Sequence, residues 1–211
     1  MFAPVAAMTR RGAVKLAAAL TALAPFGRAE AQVPATAEPA VAGQVLDAAQ
    51  MTALAALVAR LLPADTTSGS AADAGAHRYI DGQLAGHYAA QVPAYREGLA
   101  ALDVAARAQG AATFAALPIP AQDLLIGQLE QGKLTGTLAD GGKAFFALAR
   151  KHMLEGLLTD PMYGGNKDFA GWAMLGFAGI QFNFNATQQA LNSKDRRSPH
   201  SIADFGGQPI P

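Results

Sequence analysis

The sequence predicts an all-α domain, a single bundle of about five or six helices with an irregular C-terminal arm. Three observations carry that reading. Ala and Leu dominate an apolar fraction of 51%, and these two residues are the strongest helix formers. Aromatic residues make up only 7% of the chain and β-branched residues are sparse, so there is little material for a large sheet. Apolar residues recur at spacings of three and four between recognisable helix start and stop signals.

The elements follow in order. Asp47 is placed to cap a helix running to about Leu62, with Met51, Leu54, Leu57, Val58 and Leu61 on one face and Pro63 ending it. Residues 64–75 are rich in Ser, Thr, Asp and Gly and read as a loop. A second helix is expected over Ala76 to Ala90, with Tyr79, Ile80, Leu84 and Tyr88 as its apolar elements. Pro93 fits the first turn of a third helix that ends at Gly110 and turns Leu99, Leu102 and Ala106 inward. Phe114 to Leu117 reads as a short turn. Pro120 opens a fourth helix through Leu124, Leu125 and Leu129, with Gly132 just past its end. The longest helix is expected over Gly142 to Leu158, striped by Phe145, Leu148, Ala149, His152 and Gly156. A short helix around Trp172 spans Phe169 to Phe177, and the chain turns polar and irregular from Asn183.

The first 31 residues read as an export address. Arg10 and Arg11 form a positive pair, Leu16 to Phe26 a weakly apolar stretch, and Ala29-Glu30-Ala31 a small-x-small cleavage pattern. The adjacent arginines after Thr9 resemble a twin-arginine (Tat) signal, which passes folded proteins to the Tat translocase. Cleavage after Ala31 would remove Arg10, Arg11, Lys15, Arg28 and Glu30 and leave a mildly acidic chain. Residues 32–46 then form a linker, 47–182 the helical domain and 183–211 an extended C-terminal tail.

Composition excludes several function classes. The 16 basic and 16 acidic residues balance, so no basic excess points to nucleic acid. Without a single Cys, the chain has no disulfide, no thiolate-held zinc or iron–sulfur cluster and no thioether-linked haem. Gly141-Gly142-Lys143 lacks P-loop spacing, and neither a dinucleotide-binding glycine motif nor a Gly-x-Ser-x-Gly elbow is present. His77 and Asp81 are spaced i, i+4, and His152 and Glu155 i, i+3. Each pair reads as a helix-surface ion pair or a satisfied core histidine. A metal-dependent helical enzyme using these four residues, or a small-ligand binding bundle, is the alternative. No catalytic, cofactor-binding or metal-ligating residue is expected in this chain.

The most informative stretch runs from Glu155 to Trp172. Asp160-Pro161 stops the long helix, Gly164-Gly165-Asn166 permits positive φ and close backbone approach, and Asp168 is placed to cap the next helix. Tyr163, Phe169 and Trp172 gather around this turn. It reads either as a structural corner or as a docking loop that presents Tyr163 and Trp172 together as interface anchors. Asp160, Pro161, Tyr163, Gly164, Gly165, Asn166, Gly171 and Trp172 are the docking candidates. On the docking reading, truncating Tyr163 or Trp172 weakens association more than it lowers the melting temperature.

At these residues the sequence resembles the small subunit, subunit 3, of the gluconate 2-dehydrogenase family. The resemblance rests on Glu155-Gly156, the Asp160 to Asn166 block, Gly171-Trp172 and Gly176-Phe177-Ala178-Gly179, where Pro is more usual than Ala178. Leu61 to Asp65, Tyr79-Ile80-Asp81, Leu84-Ala85-Gly86, Tyr95, Gly98-Leu99 and Leu102-Asp103 agree, and the resemblance covers about residues 47–182. It implies a non-catalytic accessory subunit of a periplasmic dehydrogenase acting on a CH–OH group of a sugar or sugar acid. The implied partner is a large FAD-containing subunit of the glucose-methanol-choline type. A cytochrome c subunit carrying haem c often joins such complexes at the inner membrane. The small subunit would stabilise the large one and lend it the export signal.

Overall fold

The computed structural model describes residues 41–136, 138–180, 186–189 and 199–206. The expected signal with Arg10 and Arg11, most of the expected linker and much of the C-terminal arm lie outside the described residues.

The described chain is helical. Helix α1 spans Ala48–Leu61, α2 Ala76–Leu84, α3 Val92–Ala108, α4 Ile119–Glu130, α5 Lys143–Leu158 and α6 Ala170–Leu175, with a last turn, α7, at Ala186–Gln189. Short 3₁₀ turns fall at Ala89–Gln91, Phe114–Ala116, Pro161–Tyr163, Lys167–Phe169 and Ile202–Phe205. Among the described residues the only sheet-like pairing is a single parallel bridge between Gly179 and His200. No described helix is long and apolar enough to cross a membrane.

Local sequence accounts for most boundaries. Asp47 caps α1 through a reciprocal box with Gln50, each side chain accepting the other's backbone N–H at 2.8 and 3.1 Å. Pro93 lies in the first turn of α3, and Pro120 in that of α4. Gly132, with φ at 67°, takes the left-handed position past α4. Helix α2 is shorter than its apolar pattern suggests. It stops at Leu84, because Ala85 and Gly86 leave the helix and the N–H of Tyr88 returns to the carbonyl of Gln83 at 2.7 Å. Tyr88 thus reaches the core from a turn. The longest helix is α3, one residue longer than α5.

The core lies between α1, α2, α3, α4 and α5. Leu54, Leu57, Val58, Ile80, Leu99, Leu102, Leu129, Ala149 and Met153 are all buried there, around the fully buried Tyr95 and Phe114. Helix α2 packs most extensively on α5. Of the apolar residues expected along α4, Leu125 and Leu129 turn inward, whereas Leu124 is exposed.

Residues 43–46, at the end of the segment read as a linker, are tied to the domain, with Leu46 in the core and Val45 packed against it. Leu46 is buried, and the backbone N–H groups of Gln44, Val45 and Leu46 all converge on the carboxylate of Asp81. Asp81 is itself only 3% exposed. Three charge-assisted bonds satisfy it and tie the chain entrance to α2.

Candidate functional site

Two places hold polar groups that the helical core does not require: a buried aromatic–histidine cluster formed by α3, α5 and the turn after α2, and the corner that follows α5.

The first cluster centres on His152, which is fully buried. Its ring stacks on Tyr88 with centroids 4.1 Å apart. Its Nδ1 shares a 3.0 Å hydrogen bond with the hydroxyl of Tyr95, whose own ring meets Phe145 edge-on. Tyr88 donates to a carboxylate oxygen of Glu155 at 2.9 Å, and Lys151 lies 3.6 Å from the other oxygen. Nε2 of His152 is buried without a partner, as is Nδ1 of His77. Burial raises the pKa of the tyrosines. It is the main cause for Tyr79, pushed up to about 12, and for Tyr88 and Tyr95, with Glu155 adding to each.

These contacts replace the surface pairs that spacing allowed. His77 and Asp81 do not pair, because both oxygens of Asp81 are occupied by the backbone of residues 44–46. His152 points into the core, and Glu155 serves Tyr88 and Lys151. Among the described residues, no three of His, Asp and Glu come together to hold a metal ion. His152 has no exposed surface in the folded chain.

Burial keeps both histidines neutral. It pulls His77 down to about 4, helped by the neighbouring Arg78 and opposed by Asp73. It also lowers His152, against the pull of Glu155. The unfolded chain, with ordinary histidines near 6.5, then binds more protons than the folded one as the pH falls. Stability should therefore be level above about pH 6.5 and decline from there toward pH 4. Thermal melts between about pH 7 and about pH 5 test this. His77→Gln should flatten the decline, and a wild-type melting temperature constant across the window would contradict it.

The second place is the corner. Helix α5 ends at Leu158 with Thr159 as its C-cap. Asp160 caps the 3₁₀ turn that Pro161 opens, accepting from the N–H of Met162 at 3.0 Å. Gly164 and Asn166 are left-handed, with φ at 90° and 46°. Gly165 is not, but a β-carbon there would run into the carbonyl oxygen of Gly156 on α5. Another at Gly171 would meet the carbonyl oxygen of Leu157. Both glycines therefore allow backbone to lie directly against the last turn of α5.

Asn166 is the centre of this corner and has no exposed surface. Its Nδ2 donates to the carbonyl of Thr159 at 2.8 Å. Its Oδ1 accepts the N–H groups of Gly171 at 2.9 Å and Trp172 at 3.4 Å. One side chain thus joins the exposed carbonyl end of α5 to the first turn of α6. Asp168 does not cap α6 as its position in the sequence suggested. Asp168 and Phe169 are themselves left-handed, with φ at 55° and 58°, and the cap is supplied from the side by Asn166.

Trp172 is 4% exposed. Its Nε1 donates to the carbonyl of Leu158 at 2.8 Å, and its ring lies between Phe169, 5.5 Å away, and Phe177, 5.0 Å away and edge-on. Tyr163 is half-buried and packs against the main core. The two aromatics are therefore not presented together as an exposed pair.

The chain returns to this corner later. Ser201 Oγ donates to Asp160 Oδ1, and the N–H of Ile202 donates to Asp160 Oδ2 at 2.8 Å. The N–H of Ile180 donates to the carbonyl of His200 at 2.9 Å. Sequence reasoning did not single out Ser201. The signal was Ser201-x-x-Asp204, a capping box now seen closing the Ile202–Phe205 turn.

The described residues form an all-α bundle whose most constrained polar geometry is the corner around Asn166. The family model for gluconate 2-dehydrogenase subunit 3 matches residues 48–179, and the chain belongs to that family. The match spans α1 through α6 and ends on Gly179, the residue bridged to His200. Searches of curated proteins and of solved structures return no match.

Proposed function

We propose that the chain is the non-catalytic small subunit of a periplasmic, FAD-dependent dehydrogenase that oxidises a sugar or sugar acid. It stabilises the large flavoprotein subunit and escorts it, already folded, through the twin-arginine route. The observation that carries this reading is membership of a subunit family over residues 48–179. The site geometry supports it: the one fully buried histidine is enclosed by its own tyrosines, and the corner is built to hold backbone in place. The flavin belongs to the large subunit in this reading, as does any specificity for gluconate or another sugar acid. A cytochrome c subunit with haem c would take the electrons onward.

The export half of the proposal rests on Arg10 and Arg11. Replacing both with Lys keeps the charge and removes the paired guanidinium groups that the Tat signal is defined by. Cell fractionation should then find both this chain and the large subunit in the cytoplasm. A large subunit that still reaches the periplasm would show that this chain is not its escort.

A further inference from the structure

We propose that the exposed apolar edge formed by the end of α5, by α6 and by the returning segment at Ile202 is the surface that seats the large dehydrogenase subunit. The inference rests on the subunit reading above and assigns it a surface.

The stretch from Phe169 to Ile180 has no charged side chain and no polar one except the indole of Trp172. Its middle, residues 173–177, is exposed throughout. Leu175 is 67% and Phe177 49% exposed. Five consecutive exposed residues without a polar group are unusual on a finished surface. Leu154 and Leu158, one turn apart on α5, are exposed beside them, as are Met174 and Ile202. The pieces are adjacent. Trp172 bonds the backbone of Leu158 and carries Phe177 on its ring, while Ile202 is held on Asp160. Leu124 on α4, by contrast, is exposed directly after the exposed Asp123.

The corner makes this edge rigid. Asn166 fixes the start of α6, Trp172 fixes its underside, and Gly176 ends it with φ at 66°. A preorganised apolar edge loses little freedom when covered. The rest of the outer face of α5 indicates the partner's chemistry. Arg150 is exposed one turn before Leu154, whereas Lys151 faces Glu155 at 3.6 Å, so the edge is apolar at its centre and carries a guanidinium at one rim. It fits a large-subunit surface that is apolar and offers a carboxylate there. Trp172 thereby acts on association from beneath, by holding the edge in place.

The test co-produces the tagged full chain with the large subunit and measures how much large subunit is recovered on the tag, with a dilution series for affinity. The variants are Leu175→Glu, Leu154→Glu and, as a control on a different face, Leu124→Glu. Each is also melted alone. We expect Leu175→Glu and Leu154→Glu to weaken association by about tenfold or more with near-normal melting, and Leu124→Glu to bind as wild type. Wild-type binding that survives Leu175→Glu and Leu154→Glu would overturn the proposed surface and leave the subunit reading intact. A wild-type homodimer that these variants split, with the large subunit still bound, would give the edge to a second copy and equally overturn it. A wild-type chain that recovers no large subunit would remove the subunit reading and this surface together.

Discussion

Replacing Trp172 with Ala should cost the isolated chain about 3–5 kcal/mol, the range for deleting a buried large aromatic side chain. The ring is almost fully buried between Phe169 and Phe177, and its Nε1 satisfies the carbonyl of Leu158 at the end of α5. Truncation leaves a cavity under α6 and strips that carbonyl of its partner. Trp172→Phe separates the two losses. It keeps most of the packing and forfeits the hydrogen bond, for a loss of about 1 kcal/mol. Denaturant melts of the two variants against wild type measure the difference. A Trp172→Ala chain as stable as wild type would show that the indole is not part of the folded corner. The docking reading drawn from sequence instead has truncation of Trp172 weaken association more than it lowers the melting temperature. A side chain at 4% exposure cannot be truncated without loss to its own fold.

Asn166→Ala should rank with it, at about 3 kcal/mol or more. Two backbone groups, the half-buried carbonyl of Thr159 and the buried N–H of Gly171, lose their partner, at about 1–3 kcal/mol each when left unsatisfied in the interior. Alanine must also hold φ at 46°, where asparagine is tolerated better. Asn166→Gly relieves only the backbone strain, so it should recover about 1 kcal/mol relative to Ala and leave the hydrogen-bond loss in place. Asn166→Asp keeps the acceptor but cannot donate to Thr159, and it places a charge where there is no exposed surface. It should be no better than Ala. Equal stability of the Gly variant and wild type would mean that the side chain contributes only its tolerance of the left-handed conformation.

The sequence made the helices legible because each start and stop has a local cause. Asp47 with Gln50, Pro93, Pro120 and Gly132 act within a few residues of themselves, so they can be read before the fold is known. The end of α2 was not legible. Tyr88 continues its apolar stripe, yet it leaves the helix to stack on His152, sixty-four positions away. Asp81 and His77 share a helix face, and nothing local indicates that Asp81 is claimed by the backbone of residues 44–46.

The corner was legible as a corner and not as a circuit. Asp160-Pro161 and Gly164-Gly165-Asn166 announce a tight turn. That Asn166, and not Asp168, caps α6 depends on three non-glycine residues in the left-handed region, a conformation that the short polar side chains of Asn166 and Asp168 permit but that nothing local in the sequence dictates for Phe169. The contacts of Ser201 and Ile202 with Asp160 span some forty positions and have no periodic pattern to reveal them. The exposed edge at residues 173–177 was hidden for a different reason. An apolar run around Trp172 reads as core, and only the structure shows that Trp172 alone goes inward while Leu175 and Phe177 stay outside.

On the proposed function, this chain serves a larger enzyme and performs no chemistry itself. The most direct measurement is purification of the chain from its native cell envelope, with mass-spectrometric identification of the chains that accompany it and an absorbance spectrum before and after they are separated. The account predicts a stoichiometric complex with a large yellow subunit that oxidises a sugar or sugar acid with a dye acceptor. After separation, the flavin absorbance and the turnover stay with that subunit, and the small chain is colourless and inert. A chain that purifies alone and oxidises sugars, or one that retains the flavin absorbance when separated, would contradict the account.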